Sequence, residues 1–383
     1  MRQIGILLPR SGVYPTMTFD IVDGFKGALN TWGAENYELK TAGIAHGGNN
    51  KEIYTACEQL ILNGASIIVG YINPSTVAAL EPLMKASNTL MISLDAGYHL
   101  QSPTHQPQNT FTVSLQGTLA ARITPYIAAK HGVGKFAFTC SFYDAGYRIP
   151  FGLFNGSTDN NCEIVFNHTT KLKKNEFTIE PLTTYIAHNK DTAIFSATCG
   201  DMTKELFEAA ANSTAFNDVP WFASSFTAEE SWLSQMPFPN TNISVIVPWG
   251  RNLDNPENEV FSSKMKEKNR APNVFSLLGW EAGQIIAEAL KHTELSAQIA
   301  ALKESTFSTP RGSLRFHPDT LEAIMPMYEG TIVRNENSGT CRLALSDAIP
   351  DDIVRMNYEK LRTESALLED GNTSWFNSYG CLD

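Results

Sequence analysis

Short apolar runs alternate along this chain with stretches in which apolar residues return every three or four positions. The runs at 4–8, 67–69 and 90–92 read as strands buried on both faces. Between the last two, Val77, Leu80 and Met84 mark the inner face of a helix. The stretch 64–97 is therefore a strand–helix–strand unit whose two strand ends point the same way. In open parallel sheets, ligands sit beyond the carboxyl ends of the strands, often where a helix begins. The polar turns 73–76 and 95–97 are expected to face one site.

The same alternation continues in both directions. Helices are predicted over 21–32, from Lys51 to a glycine cap at Gly64, and over 119–132, 181–188, 202–212, 258–269 and 274–292. Strands are predicted at 37–41, 111–113, 136–140, 163–166, 193–197, 221–223 and 243–247. Pro150, Gly152 and Gly156 interrupt the helical pattern between two of these. From Arg311 the tail reads as short strands, 314–316, 323–328 and 342–345, separated by Gly, Asn and Pro. The pattern restarts near residue 116, which argues for two α/β units with mostly parallel sheets.

A chain of 383 residues with 43% hydrophobic positions can bury two ordinary cores. Its 40 acids outnumber its 29 Lys and Arg, a balance that argues against nucleic acid and anionic membrane surfaces as partners. No apolar run reaches the roughly 20 residues of a spanning helix, so direct membrane insertion is not expected. The first strand starts almost at Met1, leaving a cytoplasmic protein or an exported domain without its leader. Six cysteines show no CxxC spacing; an even number permits disulfides, with Cys140 and Cys199 as neighbours closing two strands and Cys57 buried on a helix. The eight histidines show no HxxxH or HExxH spacing, so no metal site is expected, and neither a GxGxxG nor a P-loop motif supports a nucleotide cofactor.

The opening Ile4-Gly5-Ile6-Leu7-Leu8-Pro9-Arg10-Ser11-Gly12, the helix Asp23-Gly24-Phe25-Lys26-Gly27-Ala28, the turn Ile68-Val69-Gly70-Tyr71-Ile72-Asn73-Pro74-Ser75-Thr76 and the turn Met91-Ile92-Ser93-Leu94-Asp95-Ala96-Gly97 carry a resemblance. Together they resemble the type I periplasmic solute-binding proteins of ABC transporters, the leucine/isoleucine/valine-binding and amide-binding receptors above all. The resemblance implies two lobes joined by three crossovers, one holding residues 1–115 and 251–330, the other 116–250 and 331–383. It implies a small-molecule ligand, an amino acid or amide-like solute, held between the lobes and delivered to a membrane permease from the periplasm or the extracellular side. Carried over residue by residue, the ligand contacts are Asn73, Ser75 and Thr76, then Asp95, Ala96 and Gly97. The opposite lobe adds Tyr143, Asp144, Ser224 and Phe226, with Arg10, Tyr14 and Trp249 at the rim or hinge side. Departures are Asp95, where the family is neutral, Gly97, where it tends to a hydroxyl, and the lack of an acid nearer to residues 224–226 than Glu229 and Glu230.

Ser and Thr hydroxyls beside a helix start suit a carboxylate or carbonyl. The competing explanation is that Ser75 and Thr76 only cap the helix. Asp95 can meet an ammonium or amide N–H, or bond its own turn. Replacing either Asp95 or Ser75 by Ala should weaken binding with little change in the unfolding midpoint. The aromatic residues Tyr98, Phe142 and Tyr143 also fall at strand ends, while Glu229, Glu230, Asp351 and Asp352 are expected on solvated helix starts. The alternatives are a cytoplasmic amide-type sensor acting on a protein partner, and an enzyme, for which no nucleophile–base pair is present.

Overall fold

The structure, a computed structural model, describes residues 2–72, 74–97, 107–141, 148–171 and 176–366, with only the backbone of Pro74 and Ser75. The chain begins with β1 (Arg2–Leu8), α1 (Met17–Thr31), β2 (Tyr37–Gly43), α2 (Asn50–Leu62), β3 (Ala65–Tyr71), α3 (Pro74–Ala86), β4 (Leu90–Asp95) and β5 (Thr110–Ser114). These five strands form one parallel sheet in the order β2-β1-β3-β4-β5. Its central strands are apolar on both faces because helices cover both. Asn49 caps α2 by accepting from the Lys51 and Glu52 N–H groups, and the helix ends at Gly64, whose φ of 97° suits glycine.

The second sheet starts after α4 (Gly117–Lys130). It takes β6 (Lys135–Cys140), α5 (Arg148–Asp159), β7 (Glu163–Thr169), α6 (Glu180–His188), β8 (Ala193–Ala197), α7 (Gly200–Ala211), β9 (Trp221–Ala223), α8 (Glu230–Leu233) and β10 (Ile243–Val247). The chain then returns to the first lobe with α9 (Pro256–Glu267), α10 (Val274–Ala289), α11 (Leu295–Glu304), and β11 (Phe307–Thr309), β12 (Gly312–Phe316) and β13 (Ala323–Ile324), which form a small sheet of their own. It ends on the second sheet with the antiparallel pair β14 (Tyr328–Arg334) and β15 (Cys341–Ala348), followed by α12 (Asp351–Ala366). The second sheet runs β15-β14-β10-β9-β8-β6-β7, parallel from β10 to β7. The chain thus passes between its two lobes three times: before α4, after β10 and before β14.

Several expectations change. The run 323–328 is two elements, β13 in the small three-stranded sheet and the first residue of β14 in the large one. Pro326 lies between them and lacks the N–H that a continuous ladder needs. The interruption at Gly152 and Gly156 is no interruption: α5 runs through both. A Cβ at either glycine would overlap a carbonyl oxygen of α4, of Thr118 and Arg122 respectively, so these residues let two helices touch backbone to backbone. The helices α11 and α12 are additions that the hydrophobic pattern did not show. Cys57, Cys140, Cys162, Cys199 and Cys341 are buried thiols outside any disulfide, and Cys381 lies outside the described residues. β6 and β8 are adjacent, with Cys140 opposite Ala197, yet no Cys140–Cys199 bond forms.

Candidate functional site

The turns after β3 and β4 lie side by side because the strands are parallel neighbours, Tyr71 opposite Leu94. Pro74 opens α3, a position where its missing N–H is no loss. Thr76 is buried, and its hydroxyl donates to Asn50 Oδ1 at 2.5 Å, which ties α3 to α2. Asn73 lies outside the described residues, as does the Ser75 side chain. Asp95 is fully buried and accepts from Ser114 Oγ at 3.0 Å. Ala96 is buried beside it. Gly97 has a φ of 85°, and its carbonyl accepts from the Thr118 N–H at 2.7 Å. A side chain there would overlap the backbone of Gln116 and Gly117. The glycine found where the resembling family tends to a hydroxyl is therefore demanded by the first crossover.

The facing lobe presents the carboxyl ends of β6, β8 and β9. Tyr143, Asp144 and Phe142 fall outside the described residues, as does Tyr98 in the first lobe. Ser224 is buried; its N–H donates to the Ser196 carbonyl at 2.8 Å, and its Oγ lies 3.2 Å from Thr227 Oγ1. Thr227 Oγ1 in turn donates to the Thr198 carbonyl at 2.9 Å, so these hydroxyls brace the turn. Phe226 is the point where the lobes meet. Its ring centroid is 6.3 Å from Tyr14 and 6.4 Å from Phe275, while Phe275 is 4.9 Å from Tyr14 and 5.8 Å from Tyr71. Nearby, Trp232 Nε1 donates to the Val13 carbonyl at 3.2 Å across the same boundary.

Beside this aromatic group runs a crevice lined by Leu115 and Val274 on one side and Phe226, Trp249, Glu229 and Glu230 on the other. Trp249 Nε1 donates to Asn258 Oδ1 at 2.8 Å, which holds that ring against α9. Arg10 is exposed, its backbone N–H bonded to the Ala45 carbonyl at 2.6 Å. The expectation of solvated helix starts holds for Asp351 and Asp352 and fails for Glu229, which is 4% exposed. Glu229 does cap α8, accepting from the Ser231 N–H at 3.0 Å and from its hydroxyl. Glu230 accepts from the Arg251 N–H at 2.7 Å. Burial pushes both carboxyls upward, against the pull of these donors. Neighbouring acids at a helix start look solvated in sequence; the folding of the β10 crossover over them is what removes the water.

Arg148, at the start of α5, completes the electrostatics. Burial lowers its guanidinium pKa and Asp95 raises it, so a cation of one lobe is coupled to an anion of the other. No sequence signal marked Arg148, because its interest depends on Asp95 arriving from another sheet. Phe275 likewise read as one more apolar residue of α10. Among the described residues no cluster of three His, Cys, Asp or Glu is arranged to hold a metal ion, and no helix is long and apolar enough to cross a membrane.

Two facing α/β lobes with strand-end turns gathered at their boundary define a cleft-type binding protein. The chain belongs to the periplasmic binding protein family, whose profile matches residues 2–337, and it is a binding protein rather than an enzyme. Among solved structures it is similar to an ABC transporter substrate-binding protein from Sphaerobacter thermophilus, with 18% identity, a TM-score of 0.80, and 91% of this chain and 98% of that one covered. A solute-binding protein from R. palustris in complex with 4-hydroxybenzoate gives 17% identity and a TM-score of 0.75 over 91% and 98% of the two chains. A leucine-, isoleucine-, valine-, threonine- and alanine-binding protein from Brucella ovis, in its closed conformation, gives 14% and 0.71 over 92% and 96%. A sequence search of curated proteins finds no match.

Proposed function

We propose that this chain is the solute-capturing component of an ABC importer, working outside the cytoplasmic membrane and delivering its cargo to a permease. The lobes are taken as residues 1–115 with 251–330, and 116–250 with 331–383. The cargo is a small organic solute with a carboxylate or amide group on a compact apolar body: an amino acid, an amide or an aromatic acid. The observation that carries this reading is the meeting of Tyr14 and Phe226 across the lobes, beside a crevice with both aromatic walls and carboxylates. The neighbours that bind 4-hydroxybenzoate and branched-chain amino acids support the same size and chemistry.

The first lobe offers the start of α3 with Asn73, Ser75 and Thr76, and the turn Asp95, Ala96 and Gly97. The second offers Tyr143, Asp144, Ser224 and Phe226, with Arg148 as the cation suited to a carboxylate. Tyr14 packs from above, and Arg10 and Trp249 stand at the edges. Solute that bridges the lobes stabilises the closed arrangement by its greater affinity for it. The cytoplasmic sensor has no counterpart among the three structures named above.

The test is thermal denaturation against leucine, small amides, benzoate and 4-hydroxybenzoate. A true ligand at 100 times its Kd stabilises by about 2.7 kcal/mol. At least one compound is expected to raise Tm in the wild type, and Arg148→Met to weaken carboxylates more than amides. If the same compounds stabilise Arg148→Met and Phe226→Ala as well as the wild type, the cleft assignment is wrong.

A further inference from the structure

The last helix has partners in both lobes. On one side, Val354, Tyr358 and Leu361 of α12 join Leu119, Ile123 and Ile246 of the second lobe in one apolar cluster. Polar contacts strengthen that side: Lys360 Nζ donates to Asp159 at 2.9 Å, and the buried Arg122 bonds both Asp159, at 2.5 Å, and Glu364, at 2.9 Å.

On the other side α12 meets the turn between β12 and β13. Tyr358 Oη donates to Glu322 Oε2 at 2.9 Å and lies 2.9 Å from Thr320 Oγ1. Glu359 Oε1 is 3.0 Å from His317 Nε2, and Arg362 is 3.6 Å from Asp319. That turn belongs to the first lobe. The Thr112 N–H of β5 donates to the Leu321 carbonyl at 2.9 Å, and Thr112 and Glu322 form a β-bridge.

We propose that α12 is a strap across the hinge that closes over a neutral Glu322 and bonds it through Tyr358. The strap is released when ionisation makes enclosing Glu322 cost more than the strengthened Tyr358 hydrogen bond can offset. Glu322 is 6% exposed, and of its charged neighbours Asp95 favours the neutral acid while Arg362 favours the ionised one. Burial pushes its carboxyl up to about 8; Asp95 at the end of β4 adds to this, while the Tyr358 hydroxyl and Arg362 oppose it. His317 is engaged by Glu359, and Arg311, which reaches the Ser114 carbonyl next to Asp95, is held by Glu281. An ionised Glu322 would add a second negative charge to the field of Asp95 with little water around it, and leaving the strap lets it hydrate.

The direction follows from the raised value. Docking is fully stabilised below the ordinary carboxyl value of 4.5 and loses stability progressively as pH rises toward about 8. Hydrogen exchange on the full chain tests this, with protection factors corrected for intrinsic rates and α10 as the internal reference. The wild-type opening constant of α12 should rise about tenfold per pH unit between pH 5.5 and 7.5. Glu322→Gln, which keeps an acceptor and cannot ionise, should be flat over the same range. Tyr358→Phe keeps the ring against α4 and should raise the opening constant about 3–10-fold at pH 6. A flat wild-type profile, a slope that persists in Glu322→Gln, or a Tyr358→Phe helix as protected as the wild type would each overturn the proposal.

Discussion

The Tyr14 ring, on the turn after β1, meets the Phe226 ring of the opposite lobe edge-on with centroids 6.3 Å apart. The contact exists only when the lobes are together, so its energy acts on closure. Edge-to-face pairs contribute about 0.5–1.5 kcal/mol beyond their buried area. Phe226→Leu is therefore expected to raise the Kd of any solute found in the screen by roughly 2–12-fold, with little change in the urea midpoint of the apo protein. Calorimetric titration checks this; an unaltered Kd would reduce the pair to simple packing.

Asp95 and Ser75 looked interchangeable as test sites in the sequence, both removable without loss of stability. The structure changes that for Asp95, because a buried carboxylate bonded to Ser114 cannot be deleted neutrally. Asp95→Ala should cost about 1–3 kcal/mol in urea denaturation as well as weakening solute binding. Asp95→Asn, which keeps an acceptor for Ser114, should recover most of the stability and little of the binding. Equal recovery of both would show that Asp95 serves only the fold.

Arg311 and Glu281 form a fully buried two-pronged pair, Nε to Oε1 at 2.8 Å and Nη2 to Oε2 at 2.5 Å, with Nη1 donating to the Ser114 carbonyl at 2.9 Å. The pair joins α10, the approach to β12 and the end of β5, all next to the first crossover. Glu281→Leu leaves the guanidinium charge buried and should destabilise by about 3–5 kcal/mol. The double variant Glu281→Leu with Arg311→Met should lose less, since no charge is stranded. Guanidinium chloride denaturation of the three proteins distinguishes this from a simple sum of two deletions.

His168 gives a pH dependence of opposite sense to that of Glu322. Its Nδ1 lies 3.0 Å from Thr139 Oγ1 in the second sheet, and burial pushes its pKa below the ordinary 6.5. The ring stays neutral in the fold while the unfolded chain takes up a proton. Stability is therefore held above pH 6.5 and lost as pH falls below it, by at most about 1.4 kcal/mol per unit. The urea midpoint should fall between pH 7 and 5.5 more in the wild type than in His168→Gln. A matching fall in both proteins would assign the effect elsewhere.

Most of the architecture was legible in the chain itself. Runs such as 67–69 and the return of Val77, Leu80 and Met84 reflect local periodicity, and the order of such elements is enough to imply wound parallel sheets. What escaped the pattern had weaker local signals. The acids Asp351 and Asp352 marked the start of α12, but the helix buries few apolar side chains and its extent did not show, and the glycines of α5 looked like breaks until α4 lay against them.

The sequence alone determined which segments become strands and helices, because that depends on neighbours along the chain. Only the tertiary structure decided that Glu229 is dry, that Asp95 is electrostatically coupled to Arg148, and that Tyr358 reaches Glu322. Burial and charge coupling are set by groups distant in the chain, and no local pattern records which of them the fold will bring together.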